Sequence, residues 1–98
     1  MDTREAQEMM RRVYFERDRA RGVDRTVLRT FQELSELSEK IMEQRNQSEI
    51  ASEMADVFAW VCSLANLLNV DLSEALSEKY GDRCSRCRAS PCRCDDTP

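Results

Sequence analysis

The chain has 98 residues, 35% charged and 41% apolar, with a formal net charge of −4. Two glycines and two prolines are too few to turn an all-β sandwich, so uninterrupted helices are expected. The absence of histidine excludes a Ser-His-Asp triad, a Cys-His dyad and any His-ligated metal, and the net charge argues against a nucleic-acid or membrane-surface partner.

The first expected element is a charged helix over about Thr3 to Arg21, with Met9, Met10, Val13 and Tyr14 available for packing and Gly22 as its stop. Asp24 is placed to cap a second helix running to about Arg45, in which Val27, Phe31, Leu34, Ser38 and Ile41 recur at helical spacing. Asn46 and Glu49 have the pattern of a capping box and open a third helix that reaches about Leu68. Its apolar positions Ile50, Met54, Val57, Val61, Leu64 and Leu68 alternate four and three apart. Asp71 and Glu74 repeat the capping pattern before a short fourth helix ending at Gly81. From Arg83 onward, RCSRCRASPCRCDDTP has no apolar periodicity, which divides the chain into a helical domain, 1–82, and a cysteine-rich tail, 83–98.

Charge is distributed unevenly along these elements. Residues 1–30 carry eight arginines against six acids, residues 31–82 eleven acids against three bases, and residues 83–98 four arginines against two aspartates. An acidic middle lies between basic ends. The start, MDTREAQEMMRR, is charged where the apolar core of a signal peptide would sit, so a cytoplasmic location is expected. The most apolar run, Met54 to Leu68, contains Asp56 and is too short for a bilayer, so no membrane partner is expected. That run has only Asp56, Ser63 and Asn66 as polar residues, and four short helices cannot easily bury one helix all round. A homo-oligomer that covers its remaining face is therefore expected, the simpler alternative being cover by the first helix.

Two acid pairs share this acidic middle: Glu33 with Glu36, and Glu53 with Asp56. Residues three apart lie on one helical face, so each pair can present two carboxylates to a common point. Four carboxylates facing one another need a cation between them, and all-oxygen ligation selects hard ions, Mg²⁺ first, with Mn²⁺ or Ca²⁺ as substitutes. Such pairs also arise by chance in an acidic chain, Glu5/Glu8 and Glu36/Glu39 being others, so a solvated acidic face is an open alternative. Glu53 is set apart by falling within the arc of Met54, Val57, Trp60, Val61 and Leu64, with Asp56 at its edge. Glu33 and Glu36 lie beyond Leu37, away from the Leu34 stripe.

The run FQELSELSEKI, a spacer of sixteen residues after Glu36, and EMADVFAWVCSLANLLNVDLSEALSEKY resemble the MazG-type nucleotide pyrophosphohydrolases, an all-α family marked by ExxE, a variable spacer and ExxD. The matching positions are Glu33, Glu36, Glu53 and Asp56, and the resemblance covers about residues 14–80. Asp71 and Lys79 stand where members carry an aspartate at the head of a helix and a lysine towards its end. Arg83 departs from the asparagine often found four residues after that lysine, and Ser35 replaces a small residue within ExxE. The resemblance implies a four-helix MazG-like bundle completed by oligomerisation, as a homodimer or homotetramer. It also implies Mg²⁺-dependent hydrolysis of a nucleoside triphosphate, NTP or dNTP, to the monophosphate and pyrophosphate in house-cleaning of nucleotide pools. The four acids would then be catalytic and metal-binding, and Lys79 a phosphate contact.

Arg17 and Arg21 stand four apart before the glycine turn and, with Arg25, are candidate phosphate contacts, surface ion pairs with Glu16 and Asp18 being the alternative. Trp60, one turn beyond Asp56, is a candidate for stacking on a base, as is Tyr14; a core role is the alternative for Trp60. Cys84, Cys87, Cys92 and Cys94 form CxxC-x4-CxC, a set of thiolates able to bind one Zn²⁺ tetrahedrally in a tail too small to fold by itself, a redox-active or disordered thiol cluster being the alternative. Cys62 reads as a buried thiol. A different class of function stays open beside the enzyme: a non-catalytic helical adaptor that binds a protein or nucleic acid through the basic ends and zinc tail.

Overall fold

The computed structural model describes residues 1–95 as four helices: α1 (Thr3–Arg21), α2 (Val23–Met42), α3 (Gln47–Leu68) and α4 (Leu72–Lys79). No strand occurs among the described residues, so the all-α expectation holds.

Each boundary has a local cause. Asp2 caps α1 through a reciprocal box, its carboxylate accepting from the Glu5 amide at 2.8 Å while the Glu5 carboxylate accepts from the Asp2 amide at 3.2 Å. Gly22 ends α1 and begins α2 in a single residue at φ +90°, a conformation that favours glycine although no atom lies within 4 Å of a would-be Cβ. Because the chain re-enters helix at Val23, Asp24 sits within the first turn of α2 and is not its cap. The end of α2 also falls short of Arg45: Glu43 is its C-cap, and Gln44 turns at φ +57°. Asn46 and Asp71 cap α3 and α4 by accepting from the amides of Glu49 and Glu74. Asn69, in the left-handed region, closes α3.

α3 is the hub, packed against both α1 and α2, and α4 rests on α1. The corner between α3 and α4 is tied to α1 by a set of side-chain bonds. Gln7 donates to the Asn66 side chain (3.1 Å) and the Val70 carbonyl (2.7 Å), and accepts from the Leu72 amide (3.0 Å). Asn66 returns a bond to the Gln7 carbonyl at 3.2 Å, and Arg4 pairs with Asp71 at 2.9 Å. With 22 residues and a mean hydropathy of 1.2 over its most apolar window, α3 is long and apolar enough to cross a bilayer by length and composition, which the shorter Met54–Leu68 run had not suggested. It packs against α1 and α2 and buries Cys62, Ser63, Ala65 and Asn66, with 22% of that window buried.

The interior is polar to an unusual degree. Leu37, Cys62 and Ala65 are the buried apolar residues, against buried Asp18, Thr26, Glu33, Ser63 and Asn66. Phe31 (67% exposed), Leu34 (49%), Leu28 and Ile41 line α2 on the outside, and Met54, Phe58, Val61 and Leu68 do the same on α3. The Phe31–Leu34–Ile41 stripe expected to form the core thus faces away from it, and α2 turns Thr26, Glu33 and Leu37 inward. Periodicity marked the apolar face correctly but not what covers it.

Candidate metal centres

Glu33 on α2 and Glu53 and Asp56 on α3 each place a carboxylate oxygen so that all three lie within 4.8 Å of one another. The α2–α3 pairing makes this convergence, because Glu33 points inward with Leu37 on the buried face of α2. Glu33 is only 8% exposed, which corrects the reading that set it away from the packed face. Burial first, then the neighbouring Glu36 charge, push the Glu33 carboxyl above its usual 4.5; Asp56 and Glu53 add to this, and Arg29 opposes it. Arg29 donates to Glu33 at 3.2 Å and is the one cation paired with the cluster among the described residues. Oε2 of Glu53 is buried without a hydrogen-bond partner. Three converging acids, one arginine and an orphaned carboxylate oxygen fit a hard divalent cation. Glu36 is exposed and outside the three-carboxylate cluster, near enough for its charge to act on Glu33.

Asp56 also lines a cavity of about 220 Å³ between α1 and α3, walled by Met10, Tyr14, Arg17, Asp18, Arg21, Ala59, Trp60 and Ser63. Arg17, Arg21, Trp60 and Tyr14 are thereby brought beside the acidic cluster. Arg21 is not a free cation: it pairs with Asp18 at 2.8 Å and lies over the Trp60 ring, 4.7 Å from its centroid. Arg29 lies over the same ring at 5.3 Å, so the ring is an anchor for two guanidiniums. Of the other ion pairs foreseen, Glu16 takes Arg19 and not Arg17. Lys79 stands apart from this cavity, exposed in the last turn of α4, with its ammonium 5.9 Å from the Tyr80 ring centroid. Arg29 and Asp18 were missed as site residues. Their signals were slight: an i,i+4 spacing to Glu33 and an i,i+3 spacing to Arg21.

The second cluster is built from sulfur. Cys84, Cys87, Cys92 and Cys94 place their Sγ atoms within 4.8 Å of one another, with Cys84–Cys94 at 3.7 Å and Cys87–Cys92 at 4.0 Å. A tetrahedron of sulfurs with Zn–S of about 2.3 Å has edges of about 3.8 Å, so these spacings fit one zinc ion. Backbone amides support the sulfurs, Arg86 donating to Cys84 (3.4 Å), Arg93 to Cys87 (3.2 Å) and Cys94 to Cys92 (3.4 Å). Amide donation from Cys87 and Arg86 brings the Cys84 thiol down to about 6. Contacts with Cys92 and Cys84 push the Cys94 thiol up to about 12. Cys62, fully buried in α3, has its thiol pushed up by burial, as a structural cysteine should.

A helical hairpin that converges carboxylates on one point, beside a cavity rimmed with arginines, defines an all-α protein with a candidate carboxylate site for a metal ion. The sequence model of the MazG nucleotide pyrophosphohydrolase domain matches residues 21–88, more than half of the chain, and the protein belongs to that family. No curated protein and no solved structure matches the chain. The matched span holds all three clustered acids and starts as α1 ends, so most of the α1 wall of the cavity lies outside it.

Proposed function

We propose that this protein hydrolyses a nucleoside triphosphate, NTP or dNTP, to the monophosphate and pyrophosphate with Mg²⁺, or Mn²⁺ in its place, as a house-cleaning activity on nucleotide pools. The observation that carries this reading is the convergence of Glu33, Glu53 and Asp56, with one oxygen of Glu53 buried and unpartnered. Those three residues would hold the cation, with Glu36 completing the set from the next turn of α2. A divalent ion held there would neutralise charge on the triphosphate and acidify the attacking water. A nearby carboxylate would accept the proton from that water. Arg29, paired with Glu33 at 3.2 Å, would steady that carboxylate at the cluster. Arg17, the cavity arginine with an exposed side chain, and Lys79 are the proposed phosphate contacts, and Arg21 braces the wall that Arg17 shares with Trp60.

The active form is proposed to be a homodimer or homotetramer in which a second copy covers the exposed stripes of α2 and α3. Both elements that carry the acids also carry these stripes, so association would stiffen the hairpin that holds the site. Zinc in the four-cysteine tail is proposed to be structural, since four thiolates leave no open position.

A panel of NTPs and dNTPs with Mg²⁺ tests this reading. The expected result is monophosphate and pyrophosphate in equal amounts, lost in Glu53→Gln and Asp56→Asn. Turnover of no nucleotide, or full activity in both variants, would overturn it.

A further inference from the structure

Asp18 is the residue the proposed reaction leaves unexplained. It is 2% exposed, in the most highly charged helix of the chain, where an aspartate has every opportunity to face water. One carboxylate oxygen, Oδ1, accepts from Arg21 at 2.8 Å. The other, Oδ2, is buried without any partner. A buried carboxylate oxygen is costly when unsatisfied, and a native fold retains one where an occupant satisfies it. Asp18 lines the cavity that Asp56 shares with the acidic cluster, so an occupant reaching Oδ2 would also be next to the phosphate-handling centre.

The walls state what that occupant must offer. Met10, Tyr14, Ala59 and Trp60 give flat or apolar contact, and about 220 Å³ accommodates a single heterocycle. Oδ2 requires a hydrogen-bond donor. The Arg21 guanidinium beside it, which also reaches Thr26 Oγ1 at 3.5 Å, repels cations and prefers an acceptor. We propose that this cavity receives the base of the nucleotide, and that Asp18 Oδ2 accepts from an exocyclic amino group, selecting cytosine, adenine or guanine over uracil and thymine. The imide N–H of uracil and thymine lies between two carbonyl oxygens, which a carboxylate repels. An exocyclic amino group projects beyond its ring and meets the carboxylate without that penalty. This assignment rests on the acidic cluster being a nucleotide site and adds the class of base.

Cytidine and uridine monophosphates are the sharpest probes, because they differ only in the 4-amino or 4-oxo group and the N3 proton that goes with the latter. Trp60 is the sole tryptophan and lines the cavity, so its fluorescence reports occupancy in the intact protein, with calorimetry as the second readout. The expected result is tighter binding of the cytidine monophosphate by on the order of tenfold to a hundredfold, the scale of one specific base contact. The same preference should appear in kcat/KM for dCTP over dUTP. In Asp18→Asn, whose amide both donates and accepts, the preference should collapse towards unity. Equal binding of the two monophosphates by the wild-type protein would overturn the assignment even where the variant fails to fold, and so would a preference that survives in folded Asp18→Asn. Hydrolysis of every nucleotide without base preference removes the base assignment and leaves the pyrophosphohydrolase reading standing. Amino-selective binding with no hydrolysis does the reverse.

Discussion

The protein carries two clusters of metal-type ligands that depend on their surroundings in opposite ways. The carboxylates stand on α2 and α3, two long helices that pack against each other. The four cysteines stand in a segment with no helix of its own, where sulfur contacts and amide donors are the main organisation. The difference teaches what each metal would be for. A site built by the fold can bind and release a hard ion during turnover, whereas a site that builds its own fold holds a soft ion as a structural member.

The strongest way to break this comparison is to remove a carboxylate. Glu53→Gln or Asp56→Asn should lower kcat by at least about a hundredfold, the scale of losing one preorganised electrostatic group. Circular dichroism should show unchanged helix, since the scaffold does not depend on the ion. Collapse of the helices would show that the acidic centre, like the tail, is held together by its metal.

Zinc removal attacks the other side. Structural zinc contributes apparent binding energies of about 10–16 kcal/mol in small domains, so stripping it should leave the tail without order. Elemental analysis of protein purified under reducing conditions should give one zinc per chain, lost in Cys84→Ser. Hydrogen exchange should then become fast over residues 84–94 while the helices keep their protection. Loss of protection throughout α1–α3 would mean that the two regions are one cooperative unit.

The rigid side of the comparison has a condition of its own, because the hairpin bearing the acids exposes Phe31 and Leu34. On an isolated chain, Leu34→Glu would be a surface change worth within about 0.5 kcal/mol. In the proposed oligomer it buries a charge at the interface. The expected outcome is a fall in molar mass by light scattering to that of one chain, with a lowered melting temperature. An unchanged mass would leave the stripe as free surface.

Leu34 also marks where the sequence stops being legible. The caps at Asn46 and Asp71, the glycine break and the acid spacing are local features, and the elements they predict are present. Local rules also describe an apolar stripe on α2, but they do not say whether this chain or another covers it. Glu33 was therefore placed outside the packed face, although it is the most buried carboxylate of the metal cluster. Asp18 was illegible for a related reason: nothing in RDRAR distinguishes an aspartate facing water from one turned into a cavity. Both errors concern which face is inward, a property of tertiary contact.

The smallest expected effect bears on Glu33 itself. Its carboxyl is raised above 4.5 in the folded chain, chiefly by burial. A raised acid favours the folded state only while protonated, so its ionisation weakens the fold as pH rises from about 4.5 through the folded value. The penalty is absent below that window and complete above it. Metal-free Glu33→Gln should accordingly melt higher than the metal-free wild type at pH 7, and the advantage should shrink as pH falls to 4.5. Mg²⁺ should raise the melting temperature of the wild type and do little for the variant, because the cation relieves the repulsion that glutamine has already removed. The residue that costs stability in the empty site is then the one that gives the site its affinity. A variant that melts lower than wild type at pH 7 would instead assign the dominant role to the Arg29–Glu33 pair, and would place the acidic centre among ordinary helix-surface ion pairs.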